Sequence, residues 1–234
     1  MKLARLLLCL GAVTLGAQQD PNDAGPANLI ITYRCAPEKR VALREYMRAQ
    51  GLRRFEDLRR NTVLANYRVY FSRYVDTNNW DMMAVLTFAH FSDFDKWQRV
   101  ERETPAGLPP EMLAQLLYVS TYPVDLVAQK AADERPLHPV SLVVPYARTV
   151  GGPEYQEYFA TTVRPQIESW MAKGVVTRYD LLAQRYGMAR PWDGLLILEF
   201  KDDASTSAKV LGDARRNPAA EREAILADEL VLNR

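Results

Sequence analysis

Apolar and polar positions recur along this chain in an order that appears twice. Residues 29–35, Leu-Ile-Ile-Thr-Tyr-Arg-Cys, and residues 142–147 are short and rich in β-branched or apolar side chains, which predicts strands. Over residues 38–60 the apolar positions Leu43, Tyr46, Met47, Phe55 and Leu58 fall at helical spacing. Tyr155, Tyr158, Phe159, Ile167 and Trp170 repeat that spacing over residues 153–172. Pro165 is expected to break or kink the second helix, and Gly51 marks a comparable weak point in the first. Strands follow at 63–74 and 80–88 in one half and at 175–186 and 192–200 in the other, each pair closed by a turn rich in Asp, Asn, Gly or Pro. Helical stretches at 92–103 and 110–117 are matched by 204–214 and 219–227, and each half ends in a short strand, 125–127 or 229–231.

Sliding the chain by 112 residues makes the repetition explicit. Over positions 45–88 there are 11 identities in 44 ungapped positions, including Tyr67 with Tyr179, Arg73-Tyr74 with Arg185-Tyr186, and Trp80-Asp81 with Trp192-Asp193. Several of these are rarer residue types, so chance is a poor explanation. The order β-α-β-β-α-β, twice, is the ferredoxin-like unit. It divides the chain into a first repeat at 28–129, a linker at 130–139 and a second repeat at 140–234, preceded by a flexible segment at 18–27. A sheet of this kind carries helices on one face only, and two such sheets in one chain can cover each other.

The element order, with Ala84-Val85-Leu86-Thr87-Phe88 leading into Phe94-Asp95-Lys96-Trp97, resembles the dimeric α/β barrel superfamily, in particular tandem members such as the NIPSNAP, EthD-like and stress-responsive α/β barrel families. The resemblance implies an α+β fold in which two βαββαβ repeats form a dimeric α/β barrel within one chain. It also implies a small, largely apolar organic ligand, held by a binding protein or turned over by a cofactor-independent oxygenase or isomerase. Haem-binding relatives use a proximal histidine in the equivalent domain; residues 140–234 contain none. No cofactor is therefore expected. The rival reading is a non-catalytic structural or interaction module.

Composition narrows the partners. Thirty Lys and Arg against 29 Asp and Glu give a formal charge of +1, with no net pull toward nucleic acid or anionic membrane. Residues 1–17 carry Lys2 and Arg5, an apolar run from Leu6 to Val13, and Gly16-Ala17 before polar Gln18, the order of a secretory signal peptide. An exported protein, periplasmic or secreted, with no stable membrane insertion after processing is expected. Loss of Cys9 with the leader leaves Cys35 as the one thiol, so no disulfide forms within the mature chain, and a buried inert thiol is expected. Nothing excludes a further symmetric contact between copies, so a homo-oligomer stays open.

No zinc-ligand spacing, glycine-rich phosphate loop or nucleophile elbow occurs, and the only histidines are His90 and the linker's His138. The helix arginines Arg53, Arg54, Arg59 and Arg60 are interleaved with Glu56 and Asp57, a solvated face. A five-residue turn at 75–79 would set Tyr74 opposite Trp80 and Arg73 opposite Asp81, with Tyr186, Trp192, Arg185 and Asp193 repeating the arrangement. The pairs would clamp each hairpin, unless the arginines are free to bind a carboxylate. That register gives Tyr67, Val69 and Phe71 a helix-side face with Met83 and Val85. It sets Arg68 and Tyr70 on the opposite face with Met82, Ala84, Leu86, Phe88 and His90, and Asp180 and Leu182 with Leu196 and Leu198. The candidate catalytic residues are His90 as base, Tyr70 or else Tyr33 as hydrogen-bond donor and Arg68 as stabiliser of negative charge, with Tyr33, its second-half counterpart Tyr146, and Asp180 as ligand-binding groups. No metal site is expected.

Overall fold

The computed structural model describes residues 26–76, 79–134, 136, 139–146, 156–186, 192–206 and 224–232. The first repeat contains β1 (Ala27–Cys35), a helix made of α1 (Arg40–Tyr46), a π turn (Met47–Gly51) and α2 (Leu52–Arg60), then β2 (Asn66–Ser72), β3 (Met82–Phe88), α3 (Phe94–Glu103), the single turn α4 (Pro110–Leu113) and β4 (Leu116–Ala131). The second contains β5 (Val140–Tyr146), a π turn (Phe159–Val163), α5 (Arg164–Ala172), β6 (Val176–Gln184), β7 (Gly194–Phe200) and β8 (Ile225–Leu230). The two π turns are 112 residues apart, like the sequence repeat. They stand where Gly51 and Pro165 were expected to interrupt the helices. Pro165, which has no N–H to donate, follows a turn whose hydrogen-bond ladder is already irregular, so the helix passes through.

The strands close into a barrel in the order β1-β3-β2-β8-β5-β7-β6-β4. Each repeat supplies the ferredoxin-like order β4-β1-β3-β2 or β8-β5-β7-β6, and the two sheets join at both edges, β2 to β8 and β4 to β6. Tyr67 opposes Leu86 and Tyr179 opposes Leu198, so the two tyrosines hold equivalent positions, as the repeat requires. This is an α+β fold built as an intrachain dimeric α/β barrel.

Three expectations about elements are corrected. The short strand at 125–127 is the middle of the 16-residue β4, which pairs with β1 through its first half and with β6 through its second. Residues 116–117, read as helix, and Lys130 and Ala131, read as linker, belong to it. The β-forming run Tyr118-Val119-Ser120-Thr121-Tyr122, with β1 beside it, overrides the helical pattern. Residues 225–227, also read as helix, lie in β8. The helix expected at 204–214 falls mainly outside the described residues, as do most of 219–227 and His138.

The hairpin register differs by one residue from the expected one. Val69 opposes Ala84, Phe71 opposes Met82 and Ala183 opposes Gly194. A slip of one exchanges the faces of a strand. Val69, Phe71, Met82, Ala84, Leu86 and Phe88 therefore pack together under the first repeat's helices, and Leu196 and Leu198 under the second's. Ile30, Tyr70, Met83, Val85, Leu182 and Ile197 fill the barrel interior. The expected hairpin clamps do not form: Tyr74 and Tyr186 are exposed, and Asp81 is buried against Arg40 while accepting from the Cys35 backbone N–H at 2.9 Å. The repeated arginines staple the barrel seams instead. Arg73 donates to Asp228 on β8 at 2.8 Å and pairs with Asp203, and Arg185 donates to Asp125 on β4 at 2.6 Å. Each thus ties its own repeat to the closing strand of the other. No helix among the described residues is long and apolar enough to cross a membrane.

Candidate functional site

Inside the barrel the side chains change character from one end to the other. Arg68 opposes Val85 and Asp180 opposes Ile197, and both apolar partners point into the interior, so the charged pair does too. Asn28 opposes inward Val124, Ser141 opposes inward Ala227, and Glu229 opposes inward Tyr70. Thr87 and Glu199, across from Asn28 and Ser141, complete a polar layer at this end. Asn28, Ser141, Asp180 and Glu199 are all buried.

Arg68 and Asp180 stand 112 residues apart on strands that face each other across the barrel, so they are the same position in the two repeats. Arg68 Nη2 donates to Asp180 Oδ2 at 2.5 Å. Arg178 clasps the same carboxylate, from Nε at 3.0 Å and Nη2 at 2.9 Å. Three charge-assisted bonds hold the Asp180 carboxylate between two guanidinium groups. Arg68 Nη1 is buried and has no partner, as are Asn28 Nδ2, Tyr70 OH and Ser141 Oγ. Buried polar atoms left in this state are costly, and a ligand or ordered water is the usual remedy.

Burial works against the charge on Arg68, but the carboxylates of Asp180 and Glu229 help to hold its pKa above the ordinary guanidinium value. Burial pushes the Tyr70 phenol well up, only partly opposed by Arg68, whose guanidinium carbon lies 5.5 Å from the ring centre. Tyr70 is therefore a neutral hydrogen-bonding group and not a phenolate. A cleft of about 250 Å³ opens onto this end, with Arg68, Arg178, Thr177, Glu199 and Glu229 in its wall. Thr177 Oγ1 donates to Glu199 Oε1 at 3.0 Å.

Of the six residues singled out from sequence, Arg68, Tyr70 and Asp180 converge here, although only Arg68 reaches the cleft wall. Tyr33 and Tyr146 point the other way, into the helix-side cores. Tyr33 OH donates to the Ala106 carbonyl at 2.7 Å and burial pushes its phenol far up, while Tyr146 OH donates to the Leu182 carbonyl at 3.4 Å. His90 is exposed beyond the end of β3, where it caps the short helical turn at Phe91–Asp93, its backbone N–H donating to Asp93 Oδ2 at 3.1 Å. It does not line the cleft, and the one-residue register slip removes the parity that had grouped it with Arg68. Arg178, Glu199 and Glu229 were not singled out, yet Glu199 and Arg178 are the 112-shift counterparts of Thr87 and Asn66, so the repeat itself could have found them. Among the described residues no group of three or more His, Cys, Asp and Glu side chains could hold a metal ion.

No protein-family model matches the chain, and no curated protein matches it in sequence. Solved structures match its fold. An anthrone oxidase-like protein, 10% identical, aligns over 89% of this chain and 92% of its own with a TM-score of 0.56. A protein from Fusobacterium nucleatum, provisionally described as a monooxygenase, is 15% identical over 90% of this chain and 94% of its own, with a TM-score of 0.54. A provisionally described chlorite dismutase is 14% identical over 88% and 95%, with a TM-score of 0.53. These neighbours share the dimeric α/β barrel fold of this chain and say nothing of the NIPSNAP, EthD-like or stress-responsive subgroups.

Proposed function

We propose that the protein binds a small, largely apolar organic molecule in the cleft at the polar end of the barrel and acts on it by cofactor-independent acid–base chemistry, as an oxygenase or an isomerase. The observation that carries this reading is Arg68, a residue in the wall of a cleft that also holds Glu229, whose buried Nη1 is a cationic donor with no protein partner. A carbonyl oxygen on Nη1 would gain negative charge as Glu229 removes a proton from the adjacent carbon, and a preorganised donor stabilises that charge most where water is excluded. The enolate then has two outcomes. Where the enolate is conjugated with a further carbon–carbon double bond, reprotonation at the far carbon is isomerisation. Addition of dioxygen and a proton gives a hydroperoxide, which loses water to leave a new carbonyl. The descriptions of the neighbours as monooxygenase and anthrone oxidase-like accord with the second outcome.

The test is a binding screen with small neutral aromatic ketones against the wild type and Arg68→Met, followed by dioxygen-consumption assays on those that bind. Retention of ligand by Arg68→Met removes this site. Absence of binding by the wild type favours the structural-module reading, which the filled apolar end of the barrel would also satisfy.

We further propose export, supported by the leader ordered as Lys2 and Arg5, an apolar run and Gly16-Ala17. Intact mass of protein secreted from a native-like host should correspond to a chain starting near Gln18; a secreted product retaining Met1 would refute processing.

A further inference from the structure

Acidic side chains outnumber basic ones in and behind the cleft wall. Arg68 and Arg178 stand against Asp180, Glu199 and Glu229 in and behind its wall, and both arginines direct their charge at Asp180. The Asp180 side chain is only 3% exposed, so solvent does little to screen it. Arg68 is thus an arginine whose charge is cancelled on one side while Nη1 on the other still lacks an acceptor.

We propose that Asp180 is a specificity-determining residue: it converts Arg68 from a carboxylate receptor into a receptor for neutral carbonyl compounds. This rests on the ligand site argued above. A neutral carbonyl accepts from Nη1 and leaves the net charge of the layer unchanged. A carboxylate accepts the same bond but adds a like charge beside Asp180 and Glu229, where the low dielectric magnifies the repulsion. Discrimination of this kind comes from the repulsive element and not from a better attractive one. Arg178 modulates it, because its two bonds to Asp180 supply part of the charge that offsets the carboxylate.

Acetophenone and benzoate share a ring and a carbonyl and differ in charge, so titrating both into the full chain at neutral pH reads the effect directly. The wild type should bind acetophenone about tenfold or more tightly than benzoate. Asp180→Asn keeps an acceptor for Arg68 but removes the charge, and should shift the preference toward benzoate by about tenfold. Arg178→Gln should shift it the other way, with thermal melting to establish that each variant is folded. Equal binding of the two probes by the wild type would overturn the proposal while leaving the ligand site standing, as would a preference unchanged in both folded variants. Binding of neither probe by the wild type would count against the site itself and therefore against both.

Discussion

At one end of the barrel interior Ile30, Met83, Tyr122, Trp192 and Leu195 close against one another, with the Tyr122 and Trp192 rings 4.9 Å apart. At the other end, only a residue pair further along the same strands, the inward positions are Asn28, Arg68, Ser141, Asp180 and Glu199. The first end is filled by side chains that need nothing further. The second buries donors that the protein alone does not satisfy. Strand parity delivers both sets to the interior, so the choice of side chain, and not the topology, makes one end a plug and the other a receptor.

The sharpest separation should come from Trp192→Ala. Loss of a buried tryptophan costs about 3–5 kcal/mol, which denaturant unfolding would measure, while any ligand affinity of the folded fraction should hold. A large affinity change would mean that the two ends are not independent. Replacing Arg68 by Met, Asp180 by Leu and Arg178 by Met together should do the reverse. Stability should stay level or rise by about 1–4 kcal/mol, as when a buried ion cluster gives way to apolar groups, while binding disappears. A large stability loss in this triple variant would make the cluster a structural element like Trp192.

Smaller effects are expected at the seams. Arg73→Ala and Arg185→Ala should each lower stability by about 0.2–1 kcal/mol, since their pairs are partly solvated, and the two should add in the double variant because they lie on different seams. The smallest effect concerns Cys35, whose thiol is pushed up to about 12 by burial and then by the Asp81 carboxylate. An unfolded thiol titrates near about 8.5. Its contribution to stability is therefore complete below that pH and is lost as pH rises toward 12. Iodoacetamide in mildly alkaline buffer should label Cys35 only after unfolding, and native labelling at the rate of a free thiol would contradict its burial.

The repeat architecture was legible because identities such as Tyr67 with Tyr179 and Trp80 with Trp192 fix the shift without any knowledge of pairing. The register was not. Runs such as Met82-Met83-Ala84-Val85-Leu86 are buried on both faces, by helices outside and barrel interior within, so alternation gives no sign of which face is which. The turn length therefore carried the whole decision, and the ladder closes at Ser72 and Asp81, well short of the assumed five-residue turn. That one residue misplaced His90, while Arg68, Tyr70 and Asp180 survived because their parity within β2 and β6 does not depend on the hairpin. Tyr33 and Tyr146 were chosen for polarity alone, and nothing in the sequence distinguishes an inward tyrosine from one whose hydroxyl is satisfied under a helix.

The pairing of Arg68 with Asp180 also has a history written into it. Two identical halves related by a rotation would bring a residue near the axis against its own copy, Arg against Arg or Asp against Asp, and like charges buried together repel. Opposite charges at equivalent positions are open only to halves that have diverged, as the two in this chain have. Once that divergence is in place, the first half can no longer assemble well with another first half, nor the second with another second. A single chain then keeps two halves that are no longer interchangeable in the one combination, first with second, whose charges match.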